Sequence, residues 1–66
     1  MNVPTQTRDA RNALLSRLEE SNSERTELID AVTEAMDADR EFVEDVTDQL
    51  EARGEIYVVN GVVKKT

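Results

Sequence analysis

The sequence predicts an α+β fold that is mostly α, with three helices followed by a C-terminal β-hairpin. Apolar residues recur at helical spacing in three successive segments, which predicts three amphipathic helices. Residues 55–66 instead carry two short β-rich runs on either side of Asn60-Gly61. Asn-Gly between β-branched runs is a strong hairpin signal, because both central residues of a type I′ turn need positive φ.

The first helix is predicted from about Arg8 to Glu20, after a flexible lead-in over residues 1–6. Thr7 is the expected N-cap, so residues 7–66 are expected to form one domain. The apolar stripe of this helix recurs every four residues with one further leucine beside it, and consists of Ala10, Leu14, Leu18 and Leu15.

The second helix is predicted from about Glu24 to Met36. Ser21 followed by Glu24 fits a capping box, and Ser23 is a competing N-cap. Its apolar residues fall at i, i+1, i+4, i+7 and i+8, and these are Leu28, Ile29, Val32, Ala35 and Met36. A short strand near Asn22-Ser23 is expected to pair with the hairpin as a third strand.

The third helix is predicted from about Asp39 to Arg53, capped by Asp39 or Asp37. Gly54 is expected to be the left-handed residue that follows its end. The inner stripe is Phe42, Val43, Val46 and Leu50. The short connection to the second helix favours a crossing angle of about 90–120°, as in a helix-turn-helix pair.

The two-residue turn sets the register of the hairpin, pairing Val59 with Val62, Val58 with Val63, Tyr57 with Lys64 and Ile56 with Lys65. Because side chains alternate along a strand, Ile56, Val58 and Val63 share the face expected to cover the helices. The outward face carries Tyr57, Val59 and Val62. Three helices that lead into a small hairpin are the outline of a winged helix-turn-helix.

A chain of 66 residues forms one domain with a marginal core. The predicted core is Leu14, Leu18, Leu28, Ile29, Val32, Met36, Phe42, Val46, Leu50, Ile56 and Val58. The sequence contains no cysteine and no histidine. General acid–base and nucleophilic catalysis usually depend on such residues, so we expect no enzyme activity, cofactor, metal or small-molecule substrate.

The formal net charge is −7, and the acidic residues are interspersed along the chain. This composition favours a cytoplasmic protein of a salt-loving organism, with a hydrated carboxylate surface. Residues 1–7 have neither a basic region nor an apolar run, so no signal peptide is expected. No stretch reaches the ~20 apolar residues of a membrane span.

The outward face of the third helix is strongly acidic. Residues 39–53 contain six acids and two arginines, a net charge of −4, and the outward acids are Glu41, Glu44, Asp45, Asp48 and Glu51. Non-specific DNA affinity comes mostly from Lys and Arg that neutralise phosphates, and this stripe does the reverse. It is a solvated face, a docking surface for a basic partner, or a groove-binding face that operates in high salt.

The charge is divided unevenly, with −8 over residues 1–54 and +1 over residues 55–66. If the protein contacts a phosphate backbone, we expect the hairpin and a helix end to do so. The candidate nucleic-acid contacts are Arg40, Asn60, Gly61, Lys64 and Lys65. Alternatively, paired lysines on an edge strand serve only to block edge-to-edge association.

The last part of the chain resembles a known family. The matching residues are Asp39, Arg40, Val43, Glu44, Leu50, Gly54, Glu55, Ile56, Tyr57 and Thr66. They are similar to the small C-terminal winged helix of archaeal minichromosome maintenance helicases. The resemblance implies a winged helix that acts as a regulatory or interaction module attached to a helicase or beside one.

Two functions follow as expectations. The first is a DNA-binding winged helix of replication or transcription, whose Lys64 and Lys65 touch phosphate in duplex DNA. The alternative is a protein-interaction winged helix, a monomer or weak homodimer, that binds a basic protein or a helicase subunit. Its partner-binding residues are Glu41, Glu44, Asp45 and Asp48 on the third helix, or the patch of Tyr57, Val59 and Val62.

Overall fold

The structure is a computed structural model, and it describes residues 5–66. Its elements in chain order are α1 (Thr5–Glu20), β1 (Ser23–Glu24), α2 (Arg25–Met36), α3 (Arg40–Ala52), β2 (Ile56–Val59) and β3 (Val62–Lys65). The three strands form one antiparallel sheet in the order β1-β3-β2. The predicted α+β, mostly α class with a winged-helix layout is confirmed.

The first helix begins earlier than predicted. Because α1 starts at Thr5, Thr7 lies inside the helix and the prediction that it is the N-cap is wrong. The predicted lead-in over residues 1–6 therefore overlaps the helix, and residues 1–4 lie outside the described residues.

The predicted capping box at the start of α2 is also wrong. Glu24 immediately precedes the helix in extended conformation and makes no side-chain capping bond. Ser23 and Glu24 form β1 instead, and the Arg25 N–H donates to the Gly61 carbonyl at 3.0 Å. A backbone group of the hairpin thus satisfies an N–H at the helix start, which a local cap would otherwise serve.

The turn between α2 and α3 uses its two aspartates differently from the prediction. Asp37 adopts a left-handed conformation with φ 52° and ends α2, so it does not cap α3. The N–H of Ala38 then donates to the Thr33 carbonyl at 3.2 Å, the pattern of a Schellman motif. Asp39 immediately precedes α3 as predicted, without a side-chain capping bond.

Gly54 ends α3 as predicted. Its φ is +79°, a conformation that glycine adopts without steric cost. The Gly54 N–H donates to the backbone carbonyl of Glu51, and the Glu55 N–H donates to the backbone carbonyl of Leu50, each at 3.0 Å. These two bonds form a second Schellman motif and turn the chain directly into β2.

The hairpin has the predicted register at all four pairs of residues. Asn60 and Gly61 both have positive φ, 53° and 79°, as a type I′ turn requires. The additional strand predicted before the second helix is β1, and it lies one residue later than predicted. Ser23 is opposite Val63 and Glu24 is opposite Val62. The middle strand of the sheet is therefore β3.

The core lies between the three helices and the inner face of the sheet. Its buried apolar side chains are Ala10, Leu14, Leu18, Leu28, Ile29, Val32, Val43, Val46, Leu50, Ile56 and Val63. Three predicted core residues, Met36, Phe42 and Val58, are only partly buried at its edge. Val63 is fully buried because it lies on the inner face of the middle strand.

The buried stripe of α3 is rotated relative to the prediction. It consists of Val43, Val46, Thr47 and Leu50, which leaves Phe42 at the margin of the core. Thr47 is only 1% exposed, and its Oγ1 donates to the Val43 carbonyl at 2.8 Å. This local bond lets a hydroxyl occupy a core position.

Thr33 on α2 offers a direct test of hydroxyl burial. Its Oγ1 is buried and makes no hydrogen bond among the described residues. Thr33→Val replaces this unsatisfied group with a methyl, and we expect the free energy of unfolding to rise by about 1 kcal/mol. Urea denaturation followed by circular dichroism measures the change.

Thr47→Val is the matched control, because it removes a hydroxyl that is hydrogen-bonded. We expect this second variant to be neutral or less stable than the wild type by about 1 kcal/mol. If Thr33→Val destabilised the protein as much as Thr47→Val, the hydroxyl of Thr33 would have a partner in solution.

Candidate functional site

The outer face of α3 is the first candidate surface. Its acids lie opposite the buried stripe, and we call them the acidic face: Glu41, Glu44, Asp45, Asp48 and Glu51. Four of them are exposed and Glu44 is half-buried. The helical period that buries the apolar residues necessarily places these carboxylates on the solvent side.

Two residues of the acidic face are paired with arginines. The Arg25 guanidinium of α2 contacts Asp48 at 2.7 Å. Arg40 contacts Glu44 at 3.2 Å and also pairs with Asp30 of α2. Arg40, predicted as a nucleic-acid contact, therefore has its charge neutralised within the protein.

The other three residues of the acidic face have no ion pair among residues 5–66, and they are Glu41, Asp45 and Glu51. Phe42 lies at the start of α3 and lines an open depression together with Asp39, Arg40, Glu41 and Asp45. This end of α3 therefore combines a partly exposed aromatic ring with two carboxylates, those of Glu41 and Asp45, that make no ion pair among residues 5–66.

The two lysines of the hairpin lie on opposite faces of the sheet. Lys65 is opposite Ile56, on the inner side, and its Nζ donates to Glu19 of α1 at 2.7 Å. This contact lowers the pKa of the Glu19 carboxyl, mainly through the hydrogen bond from Lys65. Lys65 therefore ties β3 to α1.

The outer face of the hairpin is the second candidate surface. Lys64 lies there beside Tyr57 and has no ion pair within residues 5–66. Tyr57 and Val59 are each 43% exposed, and Val62 is half-buried. The predicted outward patch is thus brought together, with one lysine at its margin.

Arg25 connects the acidic face to the turn of the hairpin. Its backbone N–H holds the Gly61 carbonyl at the tip of the hairpin, while its side chain reaches Asp48 on the acidic face. Sequence reasoning missed this residue because Arg25 is distant from both partners along the chain. No local pattern identifies an arginine that joins three elements.

A second ion pair that the sequence did not reveal links α1 to the base of the hairpin. Arg11 donates to Glu55 at 2.6 Å, and the two side chains are 41% and 29% exposed. The hydrogen bond from Arg11 holds the pKa of the Glu55 carboxyl below its usual range, and the charge of Arg53 acts in the same direction. The Thr66 N–H donates to the carbonyl of Glu55 at 3.2 Å.

Within residues 5–66, no cluster of histidine, cysteine, aspartate or glutamate has the arrangement of a metal site. No helix in that range has the length and apolar character needed to cross a membrane.

Comparison with known proteins gives no match to any family model, curated protein or solved structure. The resemblance to the C-terminal winged helix of archaeal minichromosome maintenance helicases therefore stays a prediction. The winged-helix layout rests on the order of the elements and the topology of the sheet.

The Arg11–Glu55 pair predicts a specific pH dependence. Because the folded-state pKa of Glu55 is lowered, the pair stabilises the fold above the ordinary carboxyl pKa of 4.5, and this contribution is lost as pH falls through the folded-state pKa. Glu55→Gln should therefore lose less stability than the wild type between about pH 6 and about pH 3. Urea midpoints across this range measure the difference.

Glu20→Gln is the control, since Glu20 is exposed and has no ion pair in the described part of the chain. It changes the net charge by the same amount, so it accounts for the relief of general repulsion at low pH. Identical pH slopes for the wild type and Glu55→Gln would show that the pair is not maintained in solution.

Proposed function

We propose that the protein is a non-catalytic winged-helix module that binds a basic protein segment through the acidic face of α3. The observation that carries the proposal is the distribution of charge among the helices. The formal charge is 0 over α1 (Thr5–Glu20), −2 over α2 (Arg25–Met36) and −4 over α3 (Arg40–Ala52). A uniform adaptation to salt would not leave α1 balanced and concentrate the charge on α3.

The local contacts support a partner at the same face. Glu41, Asp45 and Glu51 have no intramolecular cation among residues 5–66, so lysines or arginines of a partner can pair with them. The neighbouring ring of Phe42 offers apolar area at the edge of the carboxylates. Complementary charge raises the rate of association and fixes orientation, while an apolar contact adds affinity.

Duplex DNA is a poor ligand for this face. In a helix-turn-helix the second helix of the pair normally enters the major groove, and here that helix is α3. Carboxylates in place of lysines would repel the phosphates on both sides of the groove. At ~1 M salt the Debye length is about 3 Å, which weakens the repulsion without creating an attraction.

The partner class and location form part of the same proposal. A basic segment of a helicase subunit fits both the acidic face and the family resemblance. We also propose a cytoplasmic location in a salt-loving organism, on the basis of the formal net charge of −7 over the whole chain.

The proposal is tested with a nonaarginine peptide as a probe of basic segments. Glu41→Gln combined with Asp45→Asn removes two carboxylates from the acidic face, and we expect the peptide Kd to rise about fivefold or more. Isothermal titration calorimetry measures the affinity, at the lowest salt concentration at which circular dichroism shows a folded chain.

Asp9→Asn combined with Glu20→Gln is the matched control, because it makes the same chemical changes at exposed positions of α1. We expect its effect to be less than about twofold. Equal losses in the two double variants would indicate general charge attraction, and tighter binding of a DNA duplex than of the peptide would overturn the proposal.

One observation favours DNA binding as a second candidate. Lys64 lies on the outer face of the hairpin opposite Tyr57 and is half-buried, without an acidic partner among the described residues. A lysine next to an aromatic ring on the outer face of a hairpin can contact a phosphate while the ring packs on a sugar or base. In this version the hairpin, and not α3, is the DNA contact.

The two lysines now give different predictions. Lys64→Ala should weaken binding to a duplex of about 20 base pairs and reduce the salt slope by about 1, because one phosphate contact is lost. Lys65→Ala should leave the affinity nearly unchanged, because the Lys65 ammonium is paired with Glu19. Fluorescence anisotropy across a salt series measures both quantities.

Each substitution removes one positive charge, so each serves as the control for the other. Equal effects on affinity and slope would show that net charge alone governs binding. An absence of duplex binding by the wild type in a folded state would remove the second candidate.

A further inference from the structure

The Arg25–Asp48 contact places a guanidinium on the acidic face in the same way that a basic partner would. Nη2 of Arg25 lies 2.7 Å from Oδ1 of Asp48. An arginine on a carboxylate is the typical contact between a basic segment and an acidic surface. Asp48 is therefore a position for a cation, and in the protein alone Arg25 supplies that cation.

The Arg25–Asp48 ion pair is accessible enough for a guanidinium of a second chain to replace Arg25. The side chain of Arg25 is 34% exposed and that of Asp48 is 63% exposed, so both remain accessible to water and to a second chain. Exposed ion pairs contribute little to stability, and a competing guanidinium can replace one at small cost. The backbone N–H of Arg25 meanwhile stays bonded to the Gly61 carbonyl, so movement of the side chain leaves that backbone contact in place.

We propose that Arg25 is an intramolecular competitor that occupies Asp48 until a basic segment displaces it. The proposal rests on the proposed function of the acidic face and adds a regulatory contact to it. In the protein alone, the carboxylates of the acidic face that make no ion pair among residues 5–66 are those of Glu41, Asp45 and Glu51. In the complex Asp48 joins them, and the guanidinium of Arg25 moves away from α3.

Arg25→Gln tests the competition. The substitution removes the competing cation, and we expect nonaarginine to bind about two- to fivefold more tightly than to the wild type. Arg17→Gln is the matched control, because Arg17 is exposed on α1 and has no ion pair within the described range. Both variants lose one positive charge, so the comparison removes the effect of the change in net charge.

The double variant Arg25→Gln/Asp48→Asn separates competition from altered folding. In the Asp48→Asn background the position is already uncharged, so Arg25→Gln should then change the peptide affinity no more than Arg17→Gln does in that background. In the wild type, the side-chain Nε–Hε signal of Arg25 should shift during an NMR titration with the peptide. Circular dichroism confirms that each variant is folded.

The possible failures are distinguishable. If the wild type does not bind the peptide, the proposed function of the acidic face fails. If the wild type binds but Arg25→Gln and Arg17→Gln have equal affinities, the competition is overturned while the function stands. Weaker binding by Arg25→Gln would also overturn it, because Arg25 would then contact the partner directly.

Discussion

The position of the hairpin against the helices is the constraint on which the rest of the structure depends. Ile56 of β2 is 2% exposed and Val63 of β3 is fully buried, so the inner face of the sheet closes the core. Val63 also lies opposite Ser23 in the sheet, which connects the middle strand to the short strand before α2. The hairpin is thereby a part of the core and not an appendage. Both candidate surfaces keep their relative positions for this reason.

The parts of the fold that the sequence predicted correctly are those that neighbouring residues determine. Asn60-Gly61 sets the turn and the register, and Gly54 ends α3, because each requires a local conformation that few residues adopt. The start of α2 was predicted wrongly because its first N–H bonds to Gly61 in the hairpin. Ser21 and Ser23 carry a valid capping signal, and a tertiary contact replaced it.

The candidate site was predictable only in part. The helical period placed the acids of α3 on the solvent side, and strand alternation already implied that Lys64 and Lys65 point in opposite directions. Three of the ion pairs could not be predicted from the sequence, since their partners are separated by 44, 23 and 46 residues. These pairs exist only after the core has brought α1, α2, α3 and the hairpin together. Lys65 could therefore be assigned to Glu19 only from the structure.

The net charge becomes more negative from α1 to α3, and this distribution helps to explain why the acidic face exists. Like charges on one face repel, and this repulsion lowers the stability of a domain whose core is small. Concentrated salt relieves repulsion on every surface equally, whereas a basic partner relieves it only where it binds. The net charge of α1 is 0, so salt relieves little repulsion there, while α3 carries −4 and its Glu41 and Asp45 make no ion pair within residues 5–66. A localised charge is better explained by a localised counter-charge, so the acidic face is more consistent with a binding surface than with a general adaptation of the solvent-exposed surface.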